Sequence, residues 1–181
     1  MSDPRTRRPL WRPAYALWTD WLGTTQLLAN THFDTAPRET PFDWTLDSSP
    51  SVAVTRANAL DVRFAGTENV AFSGVRQFTV VPPGRYRFSA EVSSDNLTID
   101  QGPFFRIFDP ANPARLNVGS APILGTAGKS WITVQFTVAS QTEALAVQLE
   151  RRASQRFDNR ISGTLYIHQV SLVPLPAPPS A

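Results

Sequence analysis

Gln77-Phe-Thr-Val-Val-Pro-Pro-Gly-Arg-Tyr-Arg-Phe-Ser-Ala-Glu-Val92 decides the fold class. In its second half Tyr86, Phe88, Ala90 and Val92 occupy one phase of a two-residue period, and Arg85, Arg87, Ser89 and Glu91 occupy the other. That is the pattern of a strand with one face buried. Pro82-Pro83-Gly84 separates it from the alternating segment before it. Proline fixes φ and glycine tolerates positive φ, so the spacing predicts a β-hairpin turning at Pro83-Gly84.

Outward from this stretch, similar segments recur at Ser51–Thr55, Ala59–Phe64, Val70–Val80, Arg85–Val92, Phe104–Phe108, Trp131–Val138, Ala144–Glu150 and Thr164–Leu172, with Gln26–Asn30 as a first strand. Glycine, proline, asparagine and aspartate mark the breaks, and no helical period follows Leu22. Short strands without intervening helices predict an all-β domain, a sandwich or a closed barrel. Ile132, Val134, Phe136 and Val138 form one inner row and Leu145, Val147 and Leu149 another, while Thr133, Gln135, Thr137, Gln148 and Glu150 face outward.

Residues 1–12 are polar, basic and broken by proline, the composition of a disordered tail. Trp11, Tyr15, Trp18 and Leu22 then fall at helical spacing, with Pro13 suited to a first turn and Gly23 to a C-terminal cap, so 13–24 reads as a short amphipathic helix or junction. So short a helix holds only when its aromatic face is covered. Trp11, Tyr15, Trp18 and Trp21 are therefore expected to meet the following domain, a lost helical domain or a protein partner. Residues 25–174 carry the β-domain, and 175–181 form a proline-rich tail. No internal repeat is present.

At 181 residues, 41% hydrophobic and 18% charged, the chain can bury one core. It has no cysteine, which excludes disulfides, thiolate metal sites and a cysteine nucleophile. The net charge of +2 is concentrated in the first two dozen residues, around Arg5, Arg7, Arg8 and Arg12. The folded part has no basic excess and is not expected to bind nucleic acid. No apolar run is long enough for a transmembrane segment. The N-terminus lacks the apolar core of a secretion signal. The expected compartment is the cytoplasm, or the periplasm or cell envelope for a piece of a longer exported protein.

Asn30-Thr-His-Phe-Asp34, Phe42-Asp-Trp44, the Val81–Ser89 segment, Trp131 and Gly163-Thr-Leu-Tyr-Ile-His-Gln-Val-Ser-Leu172 resemble the jelly-roll carbohydrate-binding modules attached to xylanases and related glycoside hydrolases. Leu97-Thr-Ile-Asp-Gln-Gly-Pro103 and Arg151-Arg-Ala-Ser-Gln-Arg-Phe-Asp-Asn159 resemble a subgroup at the C-termini of bacterial helical-repeat proteins. The resemblance covers residues 26 to 174. It implies an antiparallel jelly-roll β-sandwich holding a glycan on a sheet face or loop edge, often with a structural calcium. Here the last strand carries His168-Gln169 where the family has acidic residues, so no calcium and no cofactor is expected. His32, Asp34 and His168 are the alternative nitrogen/oxygen metal group. The alternation slips between Ile167 and Val170, predicting a bulge.

No G-x-S-x-G, H-E-x-x-H, Walker or G-x-G-x-x-G motif is present, and the expectation is a non-enzyme. Glu91, Glu150, Asp100 and Asp158 are the acids from which a hydrolytic pair would be drawn. Sugar recognition needs flat aromatic or guanidinium surfaces with amides and carboxylates beside them. Arg87, Gln101, Arg106, Gln148, Glu150, Arg152, Phe157 and Asp158 are the residues expected to hold a poly- or oligosaccharide. Against that, Arg106, Arg152 and Asp158 read equally as an ion-pair network, Phe157 as core beneath it, and Trp44 and Trp131 as core. The expected function is a non-catalytic glycan-binding module, ahead of a structural or protein-interaction domain of a cell-envelope or polysaccharide-handling assembly, with a hydrolase third.

Overall fold

The computed structural model describes residues 10–98, 100–157 and 160–178, and Arg5, Arg7, Arg8 and Asp158 lie outside them. A 12-residue helix, α1 (Trp11–Leu22), comes first. Gly23 closes it in the left-handed region, returning its N–H to the Thr19 carbonyl at 2.9 Å. Ten strands follow: β1 (Thr45–Leu46), β2 (Val52–Arg56), β3 (Leu60–Ala65), β4 (Phe72–Thr79), β5 (Gly84–Leu97), β6 (Phe104–Phe108), β7 (Asn117–Gly119), β8 (Gly125–Val138), β9 (Leu145–Arg151) and β10 (Ser162–Leu175).

They form two antiparallel five-stranded sheets, the first in the order β1-β4-β9-β6-β7 and the second in the order β2-β3-β10-β5-β8. The alternation read from the sequence turns Phe88, Ala90 and Val92 of β5 inward, against Val75, Phe105, Ile107, Leu145, Val147 and Leu149 of the facing sheet. Phe88 and Phe105 meet with ring centres 5.1 Å apart, joining the two layers. Each buried side chain of this size contributes about 1.5–3 kcal/mol on leaving water. The expected bulge is present in β10, where the register against β5 shifts between Ile167 and Gln169.

β4 and β5 are not a hairpin. β4 pairs with β1 and β9 in the first sheet and β5 with β10 and β8 in the second, so the segment between them crosses from one layer to the other. A two-residue hairpin turn needs positive φ at its first central position, which proline cannot adopt, and two adjacent prolines remove two donors from any ladder. Val81 is buried at the crossing, and the Tyr86 hydroxyl donates to the Pro82 carbonyl at 2.7 Å.

Gln26–Asn30 is not a strand either, because side chains take its main-chain groups. Gln77 accepts from the Ala29 N–H at 2.8 Å and donates back to the Ala29 carbonyl at 3.1 Å. Tyr15 and Thr79 donate to the Leu27 carbonyl, and the Trp44 indole donates to the Ala29 carbonyl. With those groups spent, no ladder forms.

α1 lies on the β4 end of the first sheet, with Trp11 stacked on Phe78 at 5.1 Å and Tyr15 edge-on to Phe42 at 5.2 Å. Its other stripe, Leu10, Leu17 and Trp21, is exposed. Two further expectations are overturned. Trp131 is 53% exposed on the edge strand β8, and Phe157 is fully exposed in the loop after β9, so neither belongs to the core. Trp44 is buried as expected.

Candidate functional site

On β6, Phe105 and Ile107 point into the core, so Phe104, Arg106 and Phe108 share the outer face of the first sheet. Register aligns Arg106 with Gln148 of β9, and Gln148 with Arg76 of β4. One residue pair along, Glu150 stands opposite Phe104. The face is therefore a grid of arginine, amide and carboxylate with two phenyl rings between them.

Glu150 is the centre of the grid. It accepts from Arg106 at 3.3 Å, from Gln148 at 3.2 Å and from Arg152 at 3.4 Å. Arg106 also donates to the Asn117 side chain at 2.8 Å. Its guanidinium lies 4.2 Å from the Phe108 ring centre, and that of Arg152 lies 4.9 Å from Phe104. Charge pairing and cation–π contact together hold each guanidinium against a phenyl ring of the sheet. Arg152 remains 62% exposed. Around them runs a groove of about 420 Å³, lined also by Phe72 and Ser73, and Arg76 lines a second hollow of about 600 Å³ on its β1 side.

Of the residues singled out in the sequence, Arg106, Gln148, Glu150 and Arg152 converge here. Glu150 pairs both arginines, while Asp158, expected in the same network, lies outside the described residues. Gln101 sits in the loop before β6 with its side chain exposed, and its carbonyl accepts from Arg151 at 2.9 Å. Arg87 is on β5 and faces away from this site, on the outside of the opposite sheet. Phe157, expected to contact the glycan, is fully exposed in the loop after β9 and is not among the residues lining this groove. Phe104, Phe108, Arg76 and Asn117 were missed. The only signal for them was Arg106, whose outward position fixes the phase of Phe104-Phe-Arg-Ile-Phe108.

Of the four acids considered for hydrolysis, Asp158 lies outside the described residues. Glu91 and Glu150 lie on opposite faces of the sandwich, and Asp100 is engaged by Ser154 and Arg156. The metal group is not assembled. His168 hydrogen-bonds Ser93 at 2.8 Å, His32 hydrogen-bonds Thr31, and no three His, Asp or Glu side chains among the described residues come together to hold an ion.

Burial, reinforced by Lys129, pushes the His168 imidazole below its ordinary range against the opposing pull of Glu91 and Asp61. The unfolded chain then takes up the proton first, so stability is expected to fall as pH drops below about 6.5. Burial pushes the Asp61 carboxyl up, which acts with the opposite sign in the carboxylate range. His168→Asn is expected to flatten the fall, read as the difference in urea midpoint between pH of about 7.5 and about 5.5. An unchanged difference would assign the slope to other groups.

Two antiparallel five-stranded sheets in this order form a jelly-roll β-sandwich, a fold shared with solved carbohydrate-binding modules. Several solved structures are similar to this chain in fold. The carbohydrate-binding module TmCBM61, solved in complex with beta-1,4-galactotriose, is 14% identical over 84% of this chain and 100% of its own, with a TM-score of 0.54. A CBM4 module is 17% identical over 82% of this chain and 99% of its own, with a TM-score of 0.56. The enzymatically active domain of bacteriophage CBA120 tailspike protein 4 is 15% identical over 83% of this chain and 21% of its own, with a TM-score of 0.53. At these identities the likeness is one of fold. Neither a family profile nor a curated protein sequence matches the chain.

Proposed function

We propose that the protein is a non-catalytic carbohydrate-binding module whose glycan lies across the outer face of the first sheet. The observation that supports this reading is the pair Arg106 and Arg152, each held against a phenyl ring and both held by Glu150 along one groove. Planar guanidiniums so held give a flat surface for the apolar side of a sugar ring, while Gln148, Glu150 and Asn117 supply amide and carboxylate partners for hydroxyls. The grid is preorganised, so little side-chain freedom remains to be lost on binding.

A glycan-array screen tests this, with Arg106→Ala and Arg152→Ala run beside the parent and folding checked by circular dichroism. Selective binding is expected, weakened about tenfold or more in either variant, the scale of one stacked, charge-assisted contact. Unchanged binding by both folded variants would remove the glycan from this face.

A second reading, an interaction domain of a larger assembly, draws on the exposed stripe of α1. Leu10, Leu17 and Trp21 line an apolar hollow of about 550 Å³ beside Phe42, with Arg38 over the Trp21 ring. Trp11 and Tyr15 are already spent on the sandwich, so this reading narrows the partner surface to the outer stripe. A folded protein that binds no glycan on the array would favour it.

A further inference from the structure

The outer face of the second sheet carries a different arrangement. Register aligns Trp131 of β8 with Glu91 of β5, and Glu91 with Gln169 of β10. Gln169 donates to Glu91 at 3.1 Å, and both residues are partly exposed. Trp131 is 53% exposed, and among the described residues neither a ring nor a cation is stacked on it. A large apolar ring left open beside an oriented carboxylate and amide is the arrangement that hydroxyl-rich rings require.

The β10 bulge extends this row. It places His168 and Gln169 in succession at partly exposed positions, and His168 is tied to Ser93 at 2.8 Å. The next row aligns Ser93, Tyr166 and Asp61 across β5, β10 and β3. Tyr166 and Asp61 open into a polar groove of about 620 Å³, lined also by Thr55, Arg63, Asp95 and Thr164. From Trp131 to Tyr166 is two strand spacings across and two residues along, roughly 12 Å. That is the reach of a short oligosaccharide rather than a single ring. Asp61, Glu91 and Asp95 stand against Arg63, Arg85, Arg87 and Lys129 on the outward positions of β3, β5 and β8, so the charges of the face nearly cancel and leave it little net charge with which to select an ionic ligand.

We propose that this face is a second carbohydrate site, taking a neutral oligosaccharide with Trp131 as the stacking platform and Glu91 and Gln169 as the hydroxyl partners. It shares no residue and no strand with the site on the first sheet, and it stands or falls separately. Two sites back to back let one domain engage two glycan chains, or a single surface of chains with avidity.

The test is nitrogen–proton correlation NMR of the labelled protein titrated with a panel of neutral probes: beta-1,4-galactotriose, cellohexaose, xylohexaose and maltohexaose. The chain has five tryptophans, so the Trp131 indole is assigned by comparison with Trp131→Phe. A saturable shift of that indole and of Gln169 is expected with at least one probe, weakened about tenfold or more in Trp131→Ala and in Glu91→Gln but retained in Arg152→Ala. Shifts confined to Arg106, Gln148 and their neighbours would overturn the second site and leave the first standing. Shifts confined to the second sheet would do the reverse. A folded protein that gives no shift with any probe would overturn both for neutral glycans.

Discussion

Arg151→Leu is expected to lower the melting temperature by about 10 °C, the consequence of losing about 3–5 kcal/mol in a domain of this size. Arg151 is 1% exposed, with a folded pKa lowered by burial against the opposing pull of Asp100. Its guanidinium donates to the Gln101 carbonyl at 2.9 Å, the Val70 carbonyl at 2.7 Å and the Asn69 side chain at 2.8 Å. Asn69 in turn holds the Ser154 backbone through two hydrogen bonds. One side chain therefore ties three loops at the end of the sandwich beside the arginine groove. Leucine fills much of the volume but leaves those acceptors buried without a donor, which is the costly half of a broken hydrogen bond. Arg151→Lys is expected to recover little, since an ammonium cannot span the same fork. Differential scanning calorimetry of the two variants decides it, and a leucine variant within about 2 °C of the parent would show that the loops hold without the tie.

Gly163→Ala is expected to cost about 3 kcal/mol. Gly163 begins the long run of β10 at φ 100°, where a side chain is strained in any surroundings. A Cβ there would also stand 2.3 Å from the Asn96 carbonyl oxygen and 2.6 Å from the Leu97 nitrogen, both backbone atoms of the neighbouring β5. Gly128→Ala in β8 is the control, because a Cβ there meets nothing within 4 Å. It is expected to stay within about 0.5 kcal/mol of the parent. Urea denaturation of both separates the close approach of two strands from the general effect of removing a glycine, and equal midpoints would refute the argument.

The strands were legible because alternation is a local property, and Phe88-Ser-Ala-Glu-Val92 carries it with no help from the rest of the chain. Partnership is not local. Nothing in the period of β4 and β5 says which sheet each joins, and the one available signal was stereochemical, a proline where a tight hairpin needs positive φ. β4 hides its phase as well. Gln77 and Thr79 are buried and Phe78 is turned outward, the reverse of what polarity alone would choose, because the inner residues serve the backbone of 27–29 and the outer one serves Trp11.

The arginine grid was half legible for a related reason. Charged residues declare an outward phase, so Arg106, Gln148, Glu150 and Arg152 could be named, whereas Phe104 and Phe108 sit in a segment that is apolar in both phases. Trp131 was misread as core because its size argues for burial, although it shares the outward phase of Thr133 and Gln135 and so stands on the uncovered outer face of β8.

β10 lies at the centre of the second sheet although it is the last strand of the ten. During synthesis β3 and β5 therefore leave the ribosome as two open edges, with the gap between them to be filled by residues not yet made. Most of the ladders join strands distant in sequence, a topology that folds slowly and leaves unpaired edges exposed meanwhile. The second sheet cannot close until β10 has emerged. A nascent chain arrested before Ser162 is expected to be protease-sensitive and prone to associate through those edges, however well its early hairpin β2–β3 has formed.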